Sequence, residues 1–316
     1  MLTHYRRELS LIVAILVLSA VLAIAAPEFF SAGNLRDLLM ANMPVLIVAL
    51  GMTLVILTGE IDISVGSQFA ICSVAAGVFA KLGLPTPAAG VAACLTGSLM
   101  GSINGALVAF ARIPSIVVTL ATMVALRDGL RWATQGAWVQ DLPPSFQWFG
   151  ASPSASERIT VGAVLLLVGL AVYSLRHLAA GRAVYATGSN QNAVRLSGID
   201  PTRVVFCVFA LTGALTGAAA LFNAVRFNQI PSNAGLGLEM QVIAAVIVGG
   251  TAVTGGRGTV AGTLLGVILL GMIGPALTFL GINAYWERAI QGAIILSAVA
   301  MDAVGSYAGK LAINRA

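Results

Sequence analysis

Few side chains in this sequence could take part in chemistry, and their spacing excludes most of it. The cysteines Cys72, Cys94 and Cys207 lie in apolar runs without CxxC spacing, so neither a disulfide framework nor a metal site is expected. The two histidines, His4 and His177, build no Ser/His/Asp or metal constellation. Neither lysine, Lys81 or Lys310, sits in a GxxxxGK[ST] frame, so the chain has no phosphate-binding loop and cannot itself be an ATPase. Gly256–Ala261 matches GxGxxA, but an apolar run precedes it and no acid occurs between Glu239 and Glu287. A dinucleotide site needs a strand before the glycines and an acid about 20 residues on, so the glycines are read as a tight turn. No cofactor and no metal are expected.

What remains is polar rather than catalytic. Glu60 and Asp62 fall in a short turn, Thr58–Gly66, between two apolar runs. Asn104 is a mid-run amide, suited either to an interhelical hydrogen bond or to lining a path. Ser115, Thr119 and Thr122 recur at helical spacing and could line the same path. The longest polar stretch is 177–202.

These residues sit in an overwhelmingly apolar chain. Of 316 residues, 58% are hydrophobic and 9% charged, with a mean hydropathy of +0.95. Soluble domains carry about 25% charged residues, so an ordinary water-soluble enzyme is excluded. The net charge of +5 comes with no basic run longer than Arg6-Arg7, which gives no footing for nucleic acid.

Apolar runs near 9–26, 43–58, 66–80, 88–111, 115–130, 159–176, 203–224, 240–254, 259–280 and 289–304 number ten. A helix needs about 20 residues to cross a bilayer, and alternating barrel strands do not read this way. The expected fold is all-α: one polytopic domain, 1–316, of about ten transmembrane helices. The first run, after Arg6-Arg7 and with small residues near Ala23 and Ala25, also fits a cleaved signal peptide. Its length and the many later runs favour a retained span.

With the N-terminus inside, the cytoplasmic side gains most of the arginines, among them Arg112, Arg176, Arg182, Arg195, Arg203 and Arg257. The outer basic residues are matched by acids, and Trp132, Trp138, Trp148 and Trp286 fall on or near outer loops, as interfacial anchors do. The expected topology is N-in and C-in, with a long outer loop at 131–158 and a cytoplasmic one at 177–202. Glycines at four-residue spacing (Gly97, Gly101, Gly105; Gly213, Gly217; Gly262, Gly266) predict helices packed backbone to backbone in lipid.

Five blocks, in order over roughly 40–305, carry a resemblance to the ribose-type, monosaccharide-importing ABC permeases. Thr58-Gly59-Glu60-Ile61-Asp62-Ile63-Ser64-Val65-Gly66 resembles that family's GGIDLSVG signature, with Glu60 in place of a glycine. Gly101–Gly105 and Ile113–Met123 resemble the next two blocks, with Ser115-Ile116 in place of Pro-Phe. Gly188–Ile199 resembles the cytoplasmic GxNxxAAxxSGI segment, and Glu239–Thr251 with the following GGRG completes the set. Gly274-Pro275 stands where the family often has Asn-Gly.

The resemblance implies a permease subunit of an importer in the bacterial inner membrane. Its partners would be a cytoplasmic ABC ATPase that binds the ATP, a periplasmic sugar-binding protein and a second permease subunit, identical or related. It implies that Gly188, Asn190, Asn192, Ala193, Arg195 and Gly198 form the ATPase-coupling loop, a degenerate EAAxxxG pattern, the alternative being a merely solvated loop. It marks Gly59, Asp62, Ser64 and Gly66 as the signature turn. A solute delivered by a binding protein needs no tight site, so Asn104, Ser115, Thr119 and Thr122 could line the path. The rival readings are a branched-chain amino-acid permease, which the GxIDxSVG segment disfavours, and an ion-coupled carrier, which the scarcity of mid-span carboxylates disfavours.

Overall fold

A computed structural model describes residues 6–283 and 285–297. Among these the structure is helical, with one isolated β-bridge between Val139 and Ile230. The helices are α1 (Arg6–Ala25), α2 (Ala32–Leu57), α3 (Val65–Lys81), α4 (Thr86–Ala109), α5 (Ser115–Thr134), α6 (Pro153–His177), α7 (Ala179–Ser189), α8 (Gln191–Leu196), α9 (Pro201–Ala224), α10 (Leu238–Val248), α11 (Val260–Phe279) and α12 (286–297). Six are long and apolar enough to cross a membrane: α1, α2, α4, α6, α9 and α11. The remainder of the last expected run, His4 and the C-terminus lie outside the described residues.

The expected run 240–254 resolves differently. α10 has 11 residues, a rise of about 16 Å, or half of a hydrocarbon core of about 30 Å. Gly249 ends it, and Gly250, Gly255 and Gly256 then adopt positive φ, where a helix cannot continue. This irregular stretch lies at the end of the bundle, with Thr254 and Arg257 exposed.

α2 is the central element, buried from Met43 to Thr53 and again from Val55 to Leu57. Pro44 inside it removes the N–H that would bond the Met40 carbonyl, and Arg226 Nη1 donates to that carbonyl at 2.9 Å instead. α4 and α9 cross on their glycine stripes. A Cβ at Gly97 would overlap the Gly213 carbonyl, one at Gly101 the Phe209 carbonyl, and one at Gly217 the Ala93 carbonyl. Because lipid offers no hydrophobic drive for helix pairing, close backbone approach supplies the dispersion contact. Gly262 and Gly266 of α11 press likewise on the carbonyls of Gly249 and Ala245. α1, through Leu22, and the short turn Pro27–Phe30 after it, through Phe29, pack on Met272 and Ala276 of α11.

The two long connections lie at opposite ends of the bundle. One end holds α7, α8, the close of α2 and the 249–259 segment. At the other, the 135–152 connection folds over the helix ends. Phe146 is buried there, Thr86 Oγ1 donates to the Ser145 carbonyl at 2.8 Å, and Trp148 N donates to the Val225 carbonyl at 2.8 Å.

Candidate functional site

The signature turn is held by α4 and α5. Asp62 is fully buried. Its Oδ1 accepts from Ser64 N at 2.9 Å and Ser64 Oγ at 2.6 Å, and its Oδ2 accepts from Gln68 Nε2 at 3.1 Å. Ser64 Oγ accepts in turn from Gln68 Nε2 and from Asn104 Nδ2, both at 2.8 Å. From α5, Ser115 Oγ accepts from Ile61 N at 3.2 Å, while Thr119 Oγ1 donates to the Ser115 and Ile61 carbonyls at 2.8 and 3.3 Å. Thr122 is half-buried and donates to the Thr119 carbonyl at 3.3 Å. The structure thus brings Asn104 onto Ser64 and Ser115 and Thr119 onto the Ile61 backbone of the same turn, and leaves Thr122 one turn further along α5. A buried carboxylate is tolerable because its oxygens are saturated by donors.

Glu60 points the other way. It lines a cavity of about 290 Å³ with Arg112, Gln191 and Arg195 at the α7–α8 end. Burial pushes its carboxyl above the usual carboxylate range, opposed by a hydrogen bond from Ser115. The two departures from the family pattern, Glu60 and Ser115, therefore meet.

Gly66 explains itself through a residue that the sequence alone does not single out. A Cβ there would overlap the Glu239 carboxylate and come within 2.6 Å of the Gly235 carbonyl. Glu239 opens α10, is 6% exposed, and faces Arg127 Nη2 at 3.5 Å. Arg127 lies about 18 Å along α5 from Ser115 at about 1.5 Å per residue. An acid–base pair therefore sits inside the bundle, far from the α7–α8 end. Read as a full span, α10 would place Glu239 at an outer edge; as a half-length helix it starts in the interior.

The polar segment forms two helices broken at Asn190. The Asn190 backbone is extended, and its Oδ1 accepts from Asn192 N and Ala193 N, both at 3.1 Å, capping α8 as Asn caps do. Val194 anchors α8 at 5% exposure, whereas Asn192, Ala193 and Arg195 are exposed and Leu196 is 91% exposed. Gly198 follows α8 at φ +78° with open space around it, so its role is conformational. Gly188 is the opposite case. A Cβ there would overlap the Leu57 carbonyl and approach Gly256 N to 2.6 Å. Gly256 N donates to Leu57 O at 2.9 Å, and Gly59, at φ +86°, lies against Gly255. Tyr185 OH donates to the Gly258 carbonyl at 2.8 Å, and burial raises its phenol above the ordinary range. One junction thus joins α7, the end of α2, the signature turn and the loop after α10.

Clamped polar turns, glycine-packed crossings and six helices long and apolar enough to cross a membrane point to a multi-pass integral-membrane protein. Residues 34–299 match the family described as branched-chain amino acid transport system / permease component. The chain belongs to that family. It is 35% identical over 295 residues, 92% of each chain, to the ribose import permease protein RbsC of Escherichia coli (strain K12). It is 35% identical to the autoinducer 2 import system permease protein LsrC of Enterobacter sp. (strain 638), covering 94% of this chain and 86% of the relative. A ribose import permease of Haemophilus influenzae is 33% identical over 92% of this chain and 91% of its own. These relatives group it with the ribose-type ABC importer permeases. No solved structure matches it.

Proposed function

We propose that the chain is the membrane-spanning subunit of an ABC importer that moves a monosaccharide or similar sugar-like solute across the bacterial inner membrane. The relatives named for ribose and autoinducer 2 support that solute class, and the Thr58–Gly66 block favours it over a branched-chain amino acid. ATP is hydrolysed by a separate cytoplasmic ATPase, and solute arrives on a periplasmic binding protein. A second permease subunit completes the path. The topology is N-in and C-in, about ten crossings in all, with 131–158 outside and 177–202 in the cytoplasm.

The observation that carries the reading is the Gly188 junction. α8 presents Asn192, Arg195 and Leu196 outward, and the adjacent α7 meets α2, the signature turn and the loop after α10 backbone to backbone. A push on α8 by an ATPase closing on ATP reaches three elements without compliant side chains between them. Such a linkage suits alternating access by rigid-body rocking of helices. Asn104, Ser115 and Thr119, by clamping the turn, keep that motion rigid, and Thr122 faces the path beside them.

The test is reconstitution of the permease with its ATPase and binding protein in proteoliposomes. Uptake of labelled D-ribose, L-rhamnose or D-xylose should require ATP and the binding protein. Uptake driven by an ion gradient without ATP would overturn the proposal. A cysteine at Ser189 should resist an impermeant thiol reagent in intact, outer-permeabilised cells while one at Ser145 reacts; the reverse pattern would invert the topology.

A further inference from the structure

The Arg127–Glu239 pair adjoins a cavity of about 830 Å³, bounded by α2 at Ala41, Pro44 and Val45, by the start of α10 and by α12. It begins at Glu239 in the bundle interior and opens at Tyr285, which is 89% exposed, away from the α7–α8 end. Small-molecule sites run from about 300 to 1,000 Å³. Resting on the importer reading, we infer that this cavity is the station at which the solute pauses within the permease, and that it takes a neutral polyhydroxylated molecule.

The lining carries the chemistry. Asn223 and Gln241 are half-buried, and among the described residues their side-chain amides have no hydrogen-bond partner. Each amide offers two donors and an acceptor, the complement of a hydroxyl that can both give and receive. The carboxylates of Glu239 and Glu287 accept from hydroxyls. Glu287 Oε1 already takes Gln291 Nε2 at 3.0 Å, which holds both at the wall. The acids are offset by Arg127 and Arg288, so the lining favours no net charge on the solute. An amino acid is disfavoured, since the anion-seeking first turn of α10 is already occupied by Glu239.

The position fits the task. Discontinuous helices meeting at mid-depth, with irregular backbone only where it borders a cavity, form the substrate stations of other transporter folds. Here half-length α10 and the non-helical 225–237 segment leading into it play that part.

The test uses the complete transporter in membrane vesicles, in a background with Cys94→Ala and Cys207→Ala, and Ala41→Cys, on the apolar wall of the cavity, as reporter. D-Ribose, D-xylose or L-rhamnose should slow modification of Ala41→Cys by a small thiol reagent several-fold, whereas L-leucine should not. Gln241→Ala should lower uptake about tenfold, the worth of one lost hydrogen bond. Lack of protection by all three sugars, protection by L-leucine instead, or wild-type uptake in Gln241→Ala would overturn the assignment. Should Gln241→Ala fail to assemble, the labelling result decides. ATP-dependent uptake without sugar protection would sink the cavity and spare the importer; protection without ATP-dependent uptake would do the reverse.

Discussion

The Gly188 junction and the Asp62 clamp lie at the two ends of one short turn, yet they are held by opposite means. At Gly188 backbone meets backbone, and the side chains have been deleted. At Asp62 a fully buried carboxylate, Ser64, Gln68 and Asn104 bond one another through side chains. The first contact is stiff because nothing between the segments can rotate. The second is specific because buried donors and acceptors must find their partners. The difference teaches that the turn is pinned by side-chain hydrogen bonds at its Asp62 end and by backbone contact at its Gly59 end.

The largest effect should come from extending the side-chain scheme into the interior. Glu239→Ala leaves Arg127 without its partner in a site that is 21% exposed for the arginine and 8% for the acid. Breaking such a pair costs about 3–5 kcal/mol, and the variant should be nearly absent from membranes by immunoblot. Normal amounts of folded protein would mean that water reaches Arg127 freely.

Next comes the backbone scheme. Gly188→Leu must displace the Leu57 carbonyl or Gly256, an overpacking cost of about 1–3 kcal/mol. The permease should still assemble, but ATP hydrolysis should no longer respond to the loaded binding protein. Full stimulation in that variant would remove the junction from the coupling route.

Asn104→Ala should cost about 1–1.5 kcal/mol, since it removes one buried hydrogen bond to Ser64 but leaves Ser64 bonded to Asp62 and Gln68. A shift in thermal stability with little change in uptake would mark Asn104 as a brace. A large uptake defect at unchanged stability would make it a path residue.

Gly198→Ala sharpens the comparison most finely, for it is glycine again but in open space. Only the left-handed backbone penalty applies, about 1 kcal/mol, confined to the end of α8. ATPase retention should weaken modestly, several-fold less than in Gly188→Ala. Equal defects in the two would show that steric contact at Gly188 is not the relevant difference.

Much of this was legible in the residues. Composition demanded lipid, long apolar runs demanded helices, and the spacing of Gly97, Gly101 and Gly105 specified a close crossing whose partner, α9, carries the matching Gly213 and Gly217. The polar segment was marked by its composition, but Asn190 read there only as a coupling-loop residue, and the structure alone makes it the cap of α8. Asn104 was left between two roles, and its bond to Ser64 appears only when α4 is set beside the turn. Gly198 and Gly188 look alike in sequence, and only their surroundings separate conformation from contact.

The sequence by itself determined what the solvent is, which segments are helical and which family's blocks are present, because those follow from local hydropathy, periodicity and residue order. Only the tertiary structure decided depth. Glu239 and Arg127 sit near the ends of apolar runs and read as outer-edge charges when every run is taken as a full span. α10 stops after 11 residues because the glycines beyond it turn the chain and lock it against Leu57 and Gly188. That stop places Glu239 in the bundle interior, over Gly66 and beside a polar cavity. Apolarity measures how well a segment tolerates lipid, not how far it travels through it, so the depth at which Glu239 lies was invisible until the helices were packed.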